Sequence, residues 1–382
     1  MNPPTSPPVI LCIAINTTSA GTFHATRNFY VEYAQGAPGG TRIVLVVPAS
    51  PEFAEFASRG AVTVVRYPLG RGVMRLLRRL WFELVWVRGA VGRYRPAGVI
   101  VLGNYSVVPL PVRKAALMRH PYLVDRAAVR RLGYGRRRLQ EWLRRLAFRR
   151  TLSTTRDIIV QSQAMGSALA RTFAIEPGRI HVVPNPVPDY MLRARSEPVA
   201  GLPDRARTLL YPSRYNEHKN HELIVELAVR HRRRLAELDL RFLVTLRADS
   251  RTAPLLRRIR EAGADDLVVN LGELPQPALV DHYRTAVGLF FPSRAETYPN
   301  ALPEAMCFGL PIAVADRPYA RVICADAAVY FEDDRPAAAL AAIESMLADW
   351  ETWSARSRSA AAGLPSARDW GERVLAICSR PP

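Results

Sequence analysis

The stretch Gly288–Asp316, which reads GLFFPSRAETYPNALPEAMCFGLPIAVAD, decides the fold of this chain. The apolar run Leu289–Phe291 ends at a proline and a serine, a pattern typical of a buried strand. Asn300 opens a short helical segment, and Gly309 ends it before a second apolar run at Ile312–Ala315. The pattern therefore predicts a strand, a loop, a helix, a turn and another strand.

Two carboxylates lie in this stretch, Glu296 in the loop and Glu304 on the helix, with seven residues between them. In a doubly wound sheet, ligands bind outside the carboxyl ends of the strands, where this loop and the helix start would lie. Free backbone N–H groups at a helix N-terminus attract phosphate. The alternative is a solvated acidic loop beside an ordinary helix.

The stretch resembles the signature of the retaining glycosyltransferases of the GT-B fold, glycosyltransferase family four, also described as glycosyl transferases group 1. The matching motifs are Pro292-Ser293, Glu296 and Glu304 themselves, Glu304-Ala305-Met306 and Gly309-Leu310-Pro311. The resemblance implies an α/β chain of two Rossmann-like, doubly wound parallel-sheet domains that face each other across a cleft. It also implies a nucleoside diphosphate sugar as donor and a saccharide as acceptor.

The totals agree with a two-domain globular protein. The chain has 382 residues, 49% of them hydrophobic. No apolar run reaches the ~20 residues of a spanning helix, and the start lacks the charged region of a signal peptide. The four cysteines show no metal-ligand or disulfide spacing. These features predict a cytoplasmic protein.

The net charge is +19, and the only lysines are Lys114 and Lys219. Such a charge favours anionic partners, which include membrane headgroups, phosphorylated substrates and nucleic acid.

Strands alternate with helices along both halves, which predicts two parallel sheets. Predicted strands in the first half include Gly98–Leu102, Tyr122–Val124 and Asp157–Gln161. A proline- and charge-containing connection at 197–207 marks the domain boundary, and we end the first domain just before it, at residue 195. The second domain spans 196–362, and the resemblance implies that a helix in 363–382 crosses back to the first domain, 1–195.

The segment that opens the second domain carries Arg214 and Lys219, and it resembles the family's Gly-Arg-x-x-x-x-Lys-Asn segment, with Ser213 at the glycine. By this resemblance the two cations hold the donor diphosphate. A leaving diphosphate gains negative charge as the glycosidic bond breaks, so fixed cations stabilise the transition state most. The alternative is a surface helix start with incidental charges.

The resemblance also implies roles for the residues around the two glutamates. Glu304 accepts hydrogen bonds from the ribose, and Glu296 holds the donor sugar near its reacting carbon. The loop residues Ser293, Tyr298 and Asn300 complete the donor site. Pro299 stands where the family usually has glycine and cannot donate an N–H to phosphate.

In the first domain, Gly21 and Thr22 match the family's glycine-containing loop over the phosphates, although a plain turn fits them equally well. The family often places a histidine at the end of a mid-domain strand. His120 precedes the predicted strand at 122–124 and Asp125 ends it, so both are candidate substrate contacts.

No Asp-x-Asp motif lies in a suitable loop. We therefore expect no metal and no cofactor, because enzymes of this type use protein cations instead, here Arg214 and Lys219.

Two basic stretches, Arg71–Arg95 and Arg130–Arg150, mix arginines with leucines, tryptophans and phenylalanines. Basic amphipathic helices with aromatic residues suit an anionic membrane surface. The alternative is that the apolar side chains face the core and the arginines are solvated.

The combined prediction is a retaining glycosyltransferase that acts on a saccharide or lipid-linked saccharide in bacterial cell-surface polysaccharide or lipopolysaccharide assembly. Its location is the cytoplasm, at the inner face of the plasma membrane. The rivals are another GT-B enzyme, such as a nucleotide-sugar epimerase, and a basic nucleic-acid-binding protein, although no nucleic-acid motif is present.

Overall fold

The structure, a computed structural model, describes residues 7–16, 20–34, 40–70, 72–125, 129–130, 135–195 and 206–379. The chain divides into two units, Met1–Pro186 with Ala367–Pro382, and Val187–Ser366. The predicted boundary lies at residue 195, and residues 196–205 of the predicted connection are outside the described residues.

The first unit contains a seven-stranded parallel sheet in the order β3-β2-β1-β4-β5-β6-β7. Its strands are β1 Val9–Ile13, β2 Arg42–Pro48, β3 Val62–Tyr67, β4 Gly98–Val101, β5 Arg113–Leu117, β6 Asp157–Val160 and β7 Ile180–Val182. Its first helices are α1 Ala20–Ala34, α2 Gly72–Trp81, a π-helical segment Phe82–Trp86, α3 Val87–Tyr94, α4 Arg136–Thr154 and α5 Gln163–Phe173. Ile10 and Cys12 pack into one core cluster and Leu11 and Ile13 into another. Both faces of this sheet are therefore buried, as the continuous apolar strands predict.

The predicted strand at Tyr122–Val124 is wrong. The chain forms β5 at Arg113–Leu117 and then a 3-10 turn at Pro121–Leu123. Pro121 has no N–H to give to a sheet, and its fixed φ suits the first position of such a turn. His120 and Asp125 therefore both follow a strand, instead of flanking one.

Strand β5 was not predicted because it begins with two charged residues, Arg113 and Lys114. Both have hydrogen-bond partners in the fold. Arg113 Nε donates to Asp157 Oδ2 at 2.8 Å, and its Nη2 donates to Oδ1 at 3.0 Å. The buried Lys114 ammonium donates to the carbonyl oxygens of Val108 at 2.6 Å and Ser106 at 3.1 Å. Burial lowers the pKa of Lys114 to about 8.

The second unit contains a six-stranded parallel sheet in the order β10-β9-β8-β11-β12-β13. Its strands are β8 Ala206–Tyr211, β9 Arg241–Val244, β10 Val268–Asn270, β11 Ala286–Phe291, β12 Ile312–Ala315 and β13 Val329–Phe331, the last of which was not predicted. Its helices are α6 Asp189–Ala194, α7 His221–Arg230, α8 Arg232–Glu237, α9 Ala253–Glu261, α10 Leu279–Thr285, α11 Ala301–Cys307, α12 Pro318–Cys324, α13 Pro336–Ala348 and α14 Trp350–Ala361. Strand β11 is buried along its whole length and pairs with β8 and β12. The loop that carries Glu296 therefore leaves the middle of the sheet.

The last helix, α15 Ala367–Cys378, belongs to the first unit. Trp370 meets Phe29 edge-to-face with the ring centroids 5.8 Å apart. A Cβ on Gly371 would lie 2.0 Å from the hydroxyl oxygen of Tyr33, so only glycine permits this approach of α15 to α1. Helix α15 also lies close to strand β4, because a Cβ on Gly98 would lie 2.4 Å from the carbonyl oxygen of Cys378.

Candidate active site

Ser293 and Glu296 lie in the loop that follows β11, at the carboxyl end of the second sheet. The Ser293 side chain is fully buried, and its hydroxyl donates to Glu296 Oε1 at 2.7 Å. Tyr319 on α12 fixes the same loop by donating its hydroxyl to the carbonyl oxygen of Ser293 at 2.6 Å. The carboxylate is thus held at the edge where ligands bind in sheets of this kind.

The Lys219 ammonium contacts the same oxygen of Glu296, although the two residues are 77 positions apart. The side chains are only 20% and 11% exposed. A 3-10 turn spans Glu217–Lys219, and Asn220 adopts a left-handed φ of 56° before α7 begins. Asparagine tolerates that conformation better than most residues. Lys219 therefore lies on the turn before the helix and not within the helix.

Arg214 follows β8 in the same loop region, and its side chain is 56% exposed. It binds Glu273 at an Nη2–Oε1 distance of 2.5 Å, and Arg247 Nε lies 3.9 Å from the other oxygen of Glu273. The sequence reasoning missed Glu273 and Arg247. Both follow a strand by three residues, as Arg214 does, and that shared position was the available signal.

Glu304 lies on α11 and is buried, with 4% exposure. Tyr283 donates its hydroxyl to Oε2 at 2.8 Å, and Gln276 donates Nε2 to Oε1 at 2.8 Å. Burial raises the pKa of this carboxyl, and the two hydrogen bonds partly oppose the rise. Glu304 is thus an acceptor group in a dry site.

The other predicted donor residues lie between these two glutamates. Asn300 is the residue before α11, and Tyr298 is largely buried, which raises the pKa of its hydroxyl. The loop is tied to the Lys219 turn because the amide of Arg294 donates to the carbonyl oxygen of His218 at 2.7 Å.

His221, the first residue of α7, is a buried neighbour of this site. Its Nε2 lies 3.3 Å from the carbonyl oxygen of Ser213, and its ring packs against Tyr211 and Tyr215. Burial, followed by the charge of Lys219, lowers the pKa of His221 to about 3. The imidazole is therefore neutral beside the cation.

In the first unit, Gly21 and Thr22 lie in the first turn of α1, so the prediction that these two residues belong to a loop is wrong. His120 follows β5 by three residues, and its Nε2 lies 2.6 Å from Glu141 Oε2 on α4. The amide of Asp125 donates to the carbonyl oxygen of Pro121 at 3.0 Å. Both candidate substrate contacts therefore follow the carboxyl end of β5.

Burial favours a protonated Glu141, but His120 and Arg144 outweigh it and lower the pKa of that carboxyl. Within the described ranges, no three or more His, Cys, Asp or Glu side chains are arranged to hold a metal ion. The four cysteines are buried and free.

Two family models match the chain in succession. The model "Glycosyl transferase 4-like domain" matches residues 26–186, and "Glycosyl transferases group 1" matches residues 193–362. The chain is a glycosyltransferase of the GT-B type. A search of curated protein sequences found no significant match.

Solved structures agree with this glycosyltransferase in fold. Sucrose-phosphate synthase from Thermosynechococcus elongatus has a TM-score of 0.70 and 15% identity over 97% of this chain and 95% of its own. HepE of Anabaena in complex with UDP-glucose has a TM-score of 0.69 and 13% identity over 96% of this chain and 98% of its own. WaaG, a glycosyltransferase involved in lipopolysaccharide biosynthesis, has a TM-score of 0.68 and 13% identity over 97% of this chain and 99% of its own.

The glycosyltransferase turns two rows of apolar side chains to the outside of its first unit. On α2 and the π-helical segment, six large apolar side chains are 48–54% exposed: Met74, Leu77, Leu80, Trp81, Leu84 and Val85. On α4, four more at helical spacing are 49–58% exposed: Leu139, Trp142, Leu143 and Leu146. Phe82 and Phe148 do face the core, but a core-facing role for the exposed residues is wrong.

Polar groups of the same helices point inward instead. Glu83 is buried and accepts from Arg79 at 2.8 Å and from the Ser106 hydroxyl at 3.1 Å. On α4, Glu141 binds His120, and Arg145 Nη1 donates to the carbonyl oxygen of Leu123 at 2.9 Å. The apolar rows are thus left outside while ionic groups anchor the helices from within. No helix in the described part of the chain has the length and apolar content to cross a membrane.

Proposed function

We propose that this enzyme is a retaining glycosyltransferase of family four that transfers a sugar from a nucleoside diphosphate donor to a saccharide or lipid-linked saccharide. The proposed setting is bacterial cell-surface polysaccharide or lipopolysaccharide assembly at the inner face of the plasma membrane. Its support is the geometry of the second unit together with the family models.

One observation carries the proposal, the contact between Lys219 and Glu296 at the carboxyl end of β8 and β11. A largely buried cation beside a largely buried carboxylate gives the site one group for a diphosphate and one for sugar hydroxyls. Sugar hydroxyls donate well to a carboxylate, and an ammonium group is a point charge for phosphate. A solvated acidic loop would not hold its glutamate in this way.

Both proposed phosphate cations have an acidic partner, Glu296 for Lys219 and Glu273 for Arg214. Lys219 is largely buried, and a buried cation without a counter-charge is costly, so Glu296 compensates it before the donor binds. Glu273 pairs with Arg214, which is more exposed. In our proposal the diphosphate shares these cations. Charge that develops on the leaving oxygen is then met by preorganised positive groups.

For the chemical step we propose substitution on one face of the sugar. The bond from the anomeric carbon to the phosphate oxygen breaks, and the electron pair leaves with the diphosphate. The acceptor hydroxyl attacks from the same face, and its proton passes to the leaving phosphate oxygen. Glu296 holds the sugar, while Arg214 and Lys219 neutralise the diphosphate, so the step requires neither a metal nor a cofactor.

For the donor, the bound UDP-glucose of HepE makes a UDP-sugar the first choice to test. For the pathway, the description of WaaG as a lipopolysaccharide enzyme favours a cell-surface acceptor. The two exposed apolar rows, flanked by arginines, favour an anionic membrane surface as the place where a lipid-linked acceptor is met.

The experiment that tests the function is nucleotide release from a panel of UDP- and GDP-sugars, with and without extracts of lipid-linked saccharides. NMR of the product should show the anomeric configuration of the donor, and chelation with EDTA should leave the rate unchanged. Release that needs no acceptor and yields an isomerised sugar would favour the epimerase. Duplex DNA binding with a steep salt dependence, without sugar transfer, would favour the nucleic-acid alternative.

A further inference from the structure

The carboxylate of Glu304 has two hydrogen-bond donors that differ in their freedom to move. Tyr283 is fully buried, and its ring stacks on Phe308 with a centroid distance of 5.6 Å and an interplanar angle of 2°. Its hydroxyl is therefore a fixed donor to Oε2. Gln276, the donor to Oε1, is partly exposed and belongs to a surface turn.

The turn that carries Gln276 restricts motion to the side chain. It is a 3-10 turn at Gln276–Ala278, with Pro275 before it and Pro277 inside it. Proline fixes φ, so the backbone here has little freedom, whereas the glutamine can rotate about its own side-chain bonds. Rotation of Gln276 would uncover Oε1 and leave Oε2 bound to Tyr283.

We propose that Gln276 occupies, in the unliganded enzyme, the acceptor that Glu304 offers to a ribose hydroxyl, and that the incoming nucleotide displaces it. This inference rests on the proposed function and adds a residue that sets nucleotide affinity and selectivity for ribose. Gln276 acts by competition, because the amide and the hydroxyl need the same carboxylate oxygen.

The electrostatics of Glu304 favour a hydrogen-bond donor at its Oε1 before the nucleotide binds. A buried carboxylate without donors is costly, and burial already raises the pKa of Glu304. The amide of Gln276 opposes that rise. The amide thus satisfies Oε1 until a hydroxyl replaces it.

The test is calorimetric titration of the full-length enzyme with UDP and GDP and with their 2′-deoxy counterparts. We expect Gln276→Ala to bind the ribonucleotide up to about tenfold more tightly, the scale of one net hydrogen bond, with no gain for the 2′-deoxy form. Gln276→Met, which keeps length but lacks the donor, should behave as Gln276→Ala does. Tyr283→Phe, which removes the donor to Oε2 and leaves Gln276 on Oε1, should give no such gain.

Three results would overturn the inference. One is ribonucleotide affinity in Gln276→Ala that is equal to or weaker than wild type, and another is an equal gain for ribo and deoxy forms. Both would leave the proposed function standing, because wild-type enzyme would still bind nucleotide. The third, no binding of any of the four nucleotides by wild-type enzyme, would remove the proposed function and this inference together.

Discussion

Tyr211, the last residue of β8, donates its hydroxyl to the carbonyl oxygen of Lys219 at 2.7 Å. Tyr211 is fully buried, so a central strand of the sheet sets the backbone position of the turn that carries the ammonium group. The carbonyl oxygen of Arg214 accepts a longer bond, at 3.4 Å, from the hydroxyl of the adjacent Ser213, and its guanidinium pairs with the partly exposed Glu273. The two cations thus differ in how firmly the fold holds them.

If both cations neutralise the leaving diphosphate, Lys219→Ala and Arg214→Ala should each lower turnover more than they weaken nucleotide binding. Loss of a group that stabilises transition-state charge typically costs about 3 kcal/mol, roughly a hundredfold in rate. The double variant should lose less than the sum, because both groups act on one diphosphate. Arg214→Lys should rescue poorly, since lysine lacks the forked donor geometry.

A double-mutant cycle on turnover, with nucleotide affinity measured separately, checks this prediction. Arg233→Ala is the control, because that arginine is 95% exposed and pairs only with Glu237 among the described contacts. Near-normal turnover in either single variant would place the phosphate site elsewhere.

Glu296→Ala should abolish transfer but keep the fold and most of the nucleotide affinity. The reason is its place at the end of β11, where it would contact the sugar and not the base. Steady-state rates, circular dichroism and nucleotide titration together measure the three quantities. Glu332→Ala, which removes an exposed carboxylate paired with Arg335, should have wild-type rates. A folded and fully active Glu296→Ala enzyme would refute the role of Glu296.

His221 should make the protein sensitive to acid. Its pKa is about 3 in the fold and about 6.5 in an unfolded chain, so below pH 6.5 the unfolded state binds a proton that the folded state does not. Stability is therefore complete above pH 6.5 and falls as the pH drops, by up to ~1.4 kcal/mol per pH unit for this one group.

Urea denaturation of wild type and His221→Gln between pH 7 and 4.5 measures this loss. The variant should show a flatter dependence of the free energy of unfolding on pH. His282→Gln controls for the removal of a histidine as such. Parallel curves for wild type and His221→Gln would contradict the prediction.

The first unit should dock on anionic membranes through the exposed rows on α2 and α4. Pelleting with phosphatidylglycerol vesicles, but not with phosphatidylcholine vesicles, is expected, and salt should weaken it. Trp81→Ser combined with Trp142→Ser should reduce binding, because both indoles are more than half exposed.

Val229→Ser combined with Val322→Ser is the matched control, since these exposed valines belong to the second unit. Equal pelleting with both vesicle types would contradict membrane docking. A stable dimer that the tryptophan substitutions dissociate would identify a second copy as the partner of this surface.

The parts of the fold that followed from the sequence are those where local pattern and burial agree. Strands β11 and β12 are apolar throughout and lie where predicted. Strand β5 was missed because the partners of Arg113 and Lys114 come from distant segments, which no local pattern encodes. Strand β13, which has three residues, was also missed.

The candidate site shows the same division. Motif spacing predicted Lys219, Glu296 and Glu304 as site residues, and the structure contains a contact between Lys219 and Glu296. Glu273 and Gln276 belong to no motif, and their contacts depend on how loops meet at the sheet edge. The outward rows on α2 and α4 could not be assigned a face from sequence, because an amphipathic pattern does not say which side is inside.

The place of α15 in the first unit has a consequence for biosynthesis. Residues 367–378 complete the packing around Phe29 and Tyr33, yet they are translated after every residue of the second unit. The second unit is continuous in sequence and can condense while it emerges from the ribosome. The first unit cannot complete its folding until α15 is made, and until then part of its apolar core is uncovered. During synthesis we therefore expect the first unit to finish folding after the second unit and to be more prone to aggregation.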